Sequence, residues 1–161
     1  MVVCRKQLNN KMKHMLKKVS ILIIGVILMS FNIQNNYEAY SLTITVKDLR
    51  NSKGVVQFAI YNKDGSIPDE KFKKYYKKDI ATINDHSATI TFNDLPKGKY
   101  AVNILHDENK NGKIDKNFIL PKEGIGFSNY ESIGMSNRPK FSKASFELNT
   151  NTTKVIKVIY M

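Results

Sequence analysis

Cysteine is almost missing from this chain. Cys4 is the single one among 161 residues, and it lies ahead of an apolar leader, so the body can form no disulfide and offers no thiolate cluster for zinc. Histidine is scarce as well: of three in the chain, only His86 and His106 fall in the body, too few to build a zinc site. Tryptophan is absent. No apolar run reaches the ~20 residues that carry a helix across a bilayer. Acid is short relative to base, 14 residues against 26, for a net charge of +12. The first 41 residues hold six basic groups and one acid, which leaves 20 basic and 13 acidic groups in the body. The excess is spread along the chain. It favours weak attraction to an anionic glycan or membrane surface and marks no nucleic-acid interface.

What is present begins with a leader. Lys11, Lys13, Lys17 and Lys18 precede the apolar run Val19–Phe31, and a positive segment before a short apolar one reads as a secretory signal peptide. Ala39-Tyr40-Ser41 places small residues around a candidate cut, with Met12 or Met15 as alternative starts. Cys4 is on the wrong side of the run to be a lipoprotein cysteine. The expected organisation is a signal peptide and leader over 1–41, then one domain over 42–161, exported to the periplasm, the outer surface or the medium.

The body is punctuated by turns. Leu42, Ile44 and Val46 alternate with Thr43, Thr45 and Lys47, the period-two pattern of a half-buried strand. Asn51–Gly54 is a turn and Val55–Tyr61 a second strand, expected to pair with the first as a hairpin. Phe72, Tyr75, Tyr76 and Ile80 recur at three- and four-residue steps, which predicts a short helix over 67–80, with Ser66 or Asp69 as cap. Its lysines, Lys71, Lys73, Lys74, Lys77 and Lys78, either bind an anionic polymer or simply face water. Ala88–Phe92, Tyr100–Leu105, Ala144–Leu148 and Val155–Tyr160 also alternate, and Asn93–Lys99 is read as a turn. Together these give an all-β fold, an antiparallel β-sandwich of about seven strands with one short helix.

The chemistry gathers straight after the strand ending at Leu105. Asp107, Asn109, Asn111 and Asp115 are spaced D-x-N-x-N-G-x-x-D, with Gly112 at the sharp bend. Ca2+ needs six to eight oxygens around one point, and alternate residues of a curled loop can supply them. The predicted ligands are the side chains of Asp107, Asn109, Asn111 and Asp115 and the backbone carbonyl of Lys113, with Ile114 anchoring the loop. The twelfth position, where an EF-hand has a bidentate glutamate, is Phe118, so water or Glu123 must complete the shell and binding should be weak. The competing reading is a metal-free turn held by side-chain-to-backbone bonds. His106, at the mouth of the loop, is either a catalytic or ligating imidazole or a structural residue that orients Asp107. Gly126-Phe127-Ser128 begins like a nucleophile elbow, but Tyr130 stands where that motif needs glycine.

Three motifs occur in order: Leu95-Pro96-x-Gly98-x-Tyr100, then His106-Asp107-x-Asn109-x-Asn111-Gly112-x-x-Asp115, then Pro121-Lys122-Glu123-Gly124-x-Gly126-Phe127-Ser128-Asn129. In this combination the chain resembles the bacterial DUF2141 family over roughly Leu42 to Tyr160. The resemblance implies a transthyretin-like (prealbumin-like) or Ig-like β-sandwich in an exported protein, and no biochemistry. Three functions are open on the residues: a non-enzymatic envelope module with a calcium-stabilised loop, a basic protein binding anionic glycan or lipid through Lys71–Lys78, and a glycan hydrolase using carboxylates such as Glu108 and Glu123.

Overall fold

The computed structural model describes residues 12, 13, 15–20 and 38–161. The chain divides into two compact units, 1–37 and 38–161. In the first, residues 12, 13 and 15–20 are helical; Cys4 and the expected apolar run from Ile21 onward lie outside the described residues. No described helix is long and apolar enough to cross a membrane.

The second unit is a sandwich-like β fold. One sheet runs in the order β10 (Thr152–Ile156), β1 (Ala39–Val46), β4 (Ala88–Pro96). The other runs β3 (Lys77–Ala81), β2 (Val55–Tyr61), β5 (Gly98–Asp107), β8 (Gly124–Phe127), with β9 (Phe146–Leu148) on the first residues of β5. A two-rung hairpin, β6 (Lys116–Asn117) with β7 (Leu120–Pro121), follows the loop at the end of β5. Pairing is antiparallel except between β1 and β10.

Alternation explains the first layer. Leu42, Ile44 and Val46 of β1 meet Val56, Phe58 and Ile60 of β2 and Tyr100, Val102 and Ile104 of β5 in one buried cluster. Each such side chain is worth about 1.5–3 kcal/mol when fully buried. The opposite face of β1 and β4 is wet, and there Thr43 meets Thr91 and Thr45 meets Thr89 through hydroxyl contacts of 2.9 and 3.1 Å. In the second sheet β2, β5 and β8 are buried on both faces, while the edge strand β3 is largely exposed. Ala59, Tyr61, Ala101, Leu105, Ile125 and Phe127 form a second cluster under Ile67, Phe72, Tyr130 and Phe141. Both clusters lie wholly within 38–161, so this unit carries its own core.

Four expectations are corrected. The β1–β2 hairpin does not form: β1 pairs β4 and β10, while β2 pairs β3 and β5. Both strands direct apolar faces into one core, but from opposite sheets. The helix over 67–80 is not there. Phe72 alone of its aromatic stripe is buried, at φ 48°, and the chain then runs extended as β3, leaving Tyr75, Tyr76 and Ile80 exposed. The short helix of the fold is instead one turn at Phe141–Ala144. Asn93–Pro96 is strand and not turn: an extra residue in β4 opposite Tyr40–Leu42 makes a bulge, with Asp94 at φ 56°. Finally β1 starts at Ala39, and Tyr40 packs against the core, so a cut after Ser41 would remove part of a paired strand.

Candidate metal-binding loop

Strand β5 delivers Asp107 to the sheet end with its side chain buried, 2% exposed. Its two carboxylate oxygens accept the backbone N–H groups of Asn111 at 3.0 Å and Gly112 at 2.7 Å. That pulls the chain into a tight curl, in which Lys110 and Gly112 take positive φ of 62° and 74°. Asn109 Oδ1 accepts the Asn111 N–H and Asn111 Oδ1 accepts the Lys113 N–H. The two amide nitrogens donate to one oxygen of Asp115, at 2.7 and 2.9 Å. The Asn109 amide first, then that of Asn111, holds the Asp115 carboxyl below its ordinary value, helped by the charges of Lys113 and Lys122. Ile114 packs on the second cluster, anchoring the loop as expected.

Glu123 closes the loop from the far side. It is buried at 4% exposed, and its oxygens accept the N–H groups of Glu108 at 3.0 Å and Asp115 at 3.3 Å. Burial raises its pKa, and the negative charges of Asp107 and Asp115 raise it further. The structure therefore brings Asp107, Asn109, Asn111, Asp115 and Glu123 to one loop. Lys113 is exposed, with its N–H held by Asn111. Phe118, at the twelfth position, projects away into solvent.

Among the described residues no group of three or more His, Cys, Asp or Glu side chains is set to hold a metal ion. The loop is closed by its own hydrogen bonds. A cation there would have to draw on amide and backbone oxygens beside the carboxylates, and Asn109 and Asn111 would have to turn oxygen in place of nitrogen toward Asp115. The donor set fits a hard cation in kind, since each carboxylate oxygen keeps lone pairs beyond the N–H it accepts.

A support the sequence reading missed lies behind the loop. His106 is fully buried, its Nε2 donating to the Lys53 carbonyl at 3.0 Å and its Nδ1 accepting from the Tyr160 hydroxyl at 2.7 Å. It is a structural residue with both nitrogens used. Arg50 donates to Glu108 Oε1 at 2.5 Å and to the Lys122 carbonyl at 3.1 Å, with its guanidinium 4.7 Å over the Tyr160 ring. The only signal for this was that Arg50 is one of three arginines in a lysine-rich chain, and a planar forked donor does what lysine cannot. Of the candidate catalytic carboxylates, Glu108 is held by Arg50 and Glu123 by the N–H groups of Glu108 and Asp115. Ser128 is likewise structural: fully buried, it accepts the Val102 N–H and donates to the Ala144 carbonyl at 2.6 Å.

A family profile described as an uncharacterized protein conserved in bacteria (DUF2141) matches residues 44–156. The chain belongs to the DUF2141 family. No curated protein and no solved structure matches it. Each motif that carries the DUF2141 resemblance has a structural task here. Tyr100 donates to the Pro96 carbonyl at 2.9 Å and locks the β4–β5 turn. Glu123 clamps the loop, and a Cβ on Gly124 would meet Tyr160 at 2.4 Å. Asn129, at φ 63°, donates to the Ala144 and Ser145 carbonyls. Tyr160 lies beyond the matched span.

Proposed function

We propose that this DUF2141 chain is an exported, non-enzymatic module of transthyretin-like type, serving binding or structure at the cell envelope, whose 107–115 loop is further stabilised by weakly held Ca2+. The observation that carries the reading is the convergence of Asp107, Asn109, Asn111, Asp115 and buried Glu123 on one curled loop. The carboxylates of Asp107 and Asp115, the amide oxygens of Asn109 and Asn111 and the Lys113 carbonyl are the ligands, with Glu123 or water completing the shell. Two ligand carboxylates beside Lys110 and Lys113 favour the ~10⁻⁴–10⁻³ M range of extracellular modules. Melts of unit 38–161 test it: several millimolar Ca2+ raises the midpoint, Mg2+ raises it less, and equal midpoints with and without Ca2+ sink the reading. Export predicts an N-terminus at or before Ala39, since β1 begins there; N-terminal sequencing that finds Val19–Phe31 retained contradicts it.

A second reading has one observation in its favour. Tyr75 and Tyr76 are exposed among Lys71, Lys73, Lys74 and Lys78, a basic, aromatic surface suited to an anionic glycan. Retention on an anionic glycan resin, lost in Lys73→Glu with Lys74→Glu, is its test.

A further inference from the structure

The β6–β7 hairpin ends in an apolar tip that no other described residue of unit 38–161 covers. Phe118 is 103% exposed, Ile119 82% and Leu120 56%. Asn117 pairs with Leu120, which makes Phe118 and Ile119 the two central residues of the turn. Phe118 stands there at φ 54°. That position suits glycine or asparagine, and a bulky aromatic in it is a backbone outlier. Here the aromatic covers no core, so neither packing nor turn chemistry accounts for it. Such outliers point to a use for the side chain.

The surroundings say what it meets. Lys113, Lys116 and Lys122 flank the base of the hairpin and are exposed. Lys116 bonds Glu70 at 2.7 Å, which brings the basic segment beginning at Lys71 beside the hairpin. An apolar point with exposed ammonium groups at its base complements a surface that is anionic outside and hydrocarbon within. Two rungs lift the tip roughly 7 Å above the hairpin's base, within the ~5–10 Å depth of interfacial insertion. We propose that Phe118, Ile119 and Leu120 insert into the headgroup boundary of an anionic lipid bilayer, with Lys113 and Lys122 on the headgroups. This does not rest on the calcium reading, because none of these side chains belongs to the loop's donor set.

The absence of tryptophan makes a direct test. Phe118→Trp in unit 38–161 gives an emission that reports the tip alone. It is titrated in EDTA, so that Ca2+ cannot bridge carboxylates to lipid, with phosphatidylcholine vesicles that either contain or lack phosphatidylglycerol. The expected result is a blue shift and cosedimentation with the anionic vesicles only. Phe118→Ser with Ile119→Ser should weaken sedimentation about tenfold or more, and Lys113→Glu with Lys122→Glu should weaken it as well. Phe118 and Ile119 are exposed, so their tryptophan and serine variants should keep the wild-type melt. Three results overturn the proposal: no binding to either vesicle, binding that the double serine variant retains, or a blue shift that grows with protein concentration in buffer, which would make the tip a contact between copies.

Discussion

Gly54→Ala should be among the most damaging small changes in this domain. Gly54 sits at φ 77° where the chain enters β2, and a Cβ there would fall 2.0 Å from the Asp107 carbonyl oxygen and 2.6 Å from Glu108 Cα. Both are backbone atoms, so no side chain can swing aside. The left-handed conformation costs an alanine about 1–2 kcal/mol, and forcing the end of β5 away adds about 1–3 kcal/mol. The sum is about 2–5 kcal/mol. Gly65→Ala is the control: it has a similar φ of 71° with nothing within 4 Å, so it should show the conformational cost alone. Urea melts of both variants separate the two contributions. Because the displaced atoms belong to Asp107, Gly54→Ala should also blunt any calcium response. A difference between the two variants under about 0.5 kcal/mol would refute the close approach of Gly54 to the start of the loop.

Other outcomes follow from the same geometry. Ile104→Ala should cost about 2–5 kcal/mol as a core truncation, while Lys99→Ala, exposed and 3.6 Å from Glu147, should be nearly silent; denaturant melts compare them. Asp107→Ala should lose about 2–4 kcal/mol even without metal, since two N–H groups lose a charged acceptor, whereas Asp115→Asn should fold almost as the wild type does. The Arg50 hydrogen bond, then its charge, hold the Glu108 carboxyl below its ordinary 4.5. Its stabilising contribution is therefore full above pH 4.5 and fades as pH falls through the lowered value. Melting midpoints between pH 6 and pH 3 should decline less steeply in Glu108→Gln than in the wild type.

Alternation was a sound guide wherever one face of a strand is wet. Leu42, Ile44 and Val46 are buried and Thr43 and Thr45 are not fully so, as period two requires. It could not say which sheet a strand joins, because β1 and β2 present the same pattern to one shared core. The aromatic spacing over 72–80 misled for a different reason. Spacing counts residues, but Asp69 accepts the Lys74 N–H at 2.6 Å and Tyr76 donates its N–H to Ile60, and these bonds set the path into β3. In the loop, the D-x-N-x-N-G spacing was legible because each residue acts on its near neighbours. The Arg50–Glu108–Tyr160–His106 support was not, since it joins residues as far as 110 positions apart, and no local pattern encodes that.

Calorimetric titration of unit 38–161 with Ca2+ decides whether the loop takes the ion. Asp115→Asn is the comparison, because Asp107 keeps its bonds to Asn111 and Gly112 in that variant. The expected result is a single binding event with a dissociation constant on the order of 10⁻⁴–10⁻³ M, lost or much weakened in Asp115→Asn. At roughly ten times that constant, binding adds about 1.4 kcal/mol of stability. No heat on adding Ca2+ to the wild-type unit, with the midpoint unmoved at millimolar Ca2+, would contradict it and leave 107–115 a hydrogen-bonded turn.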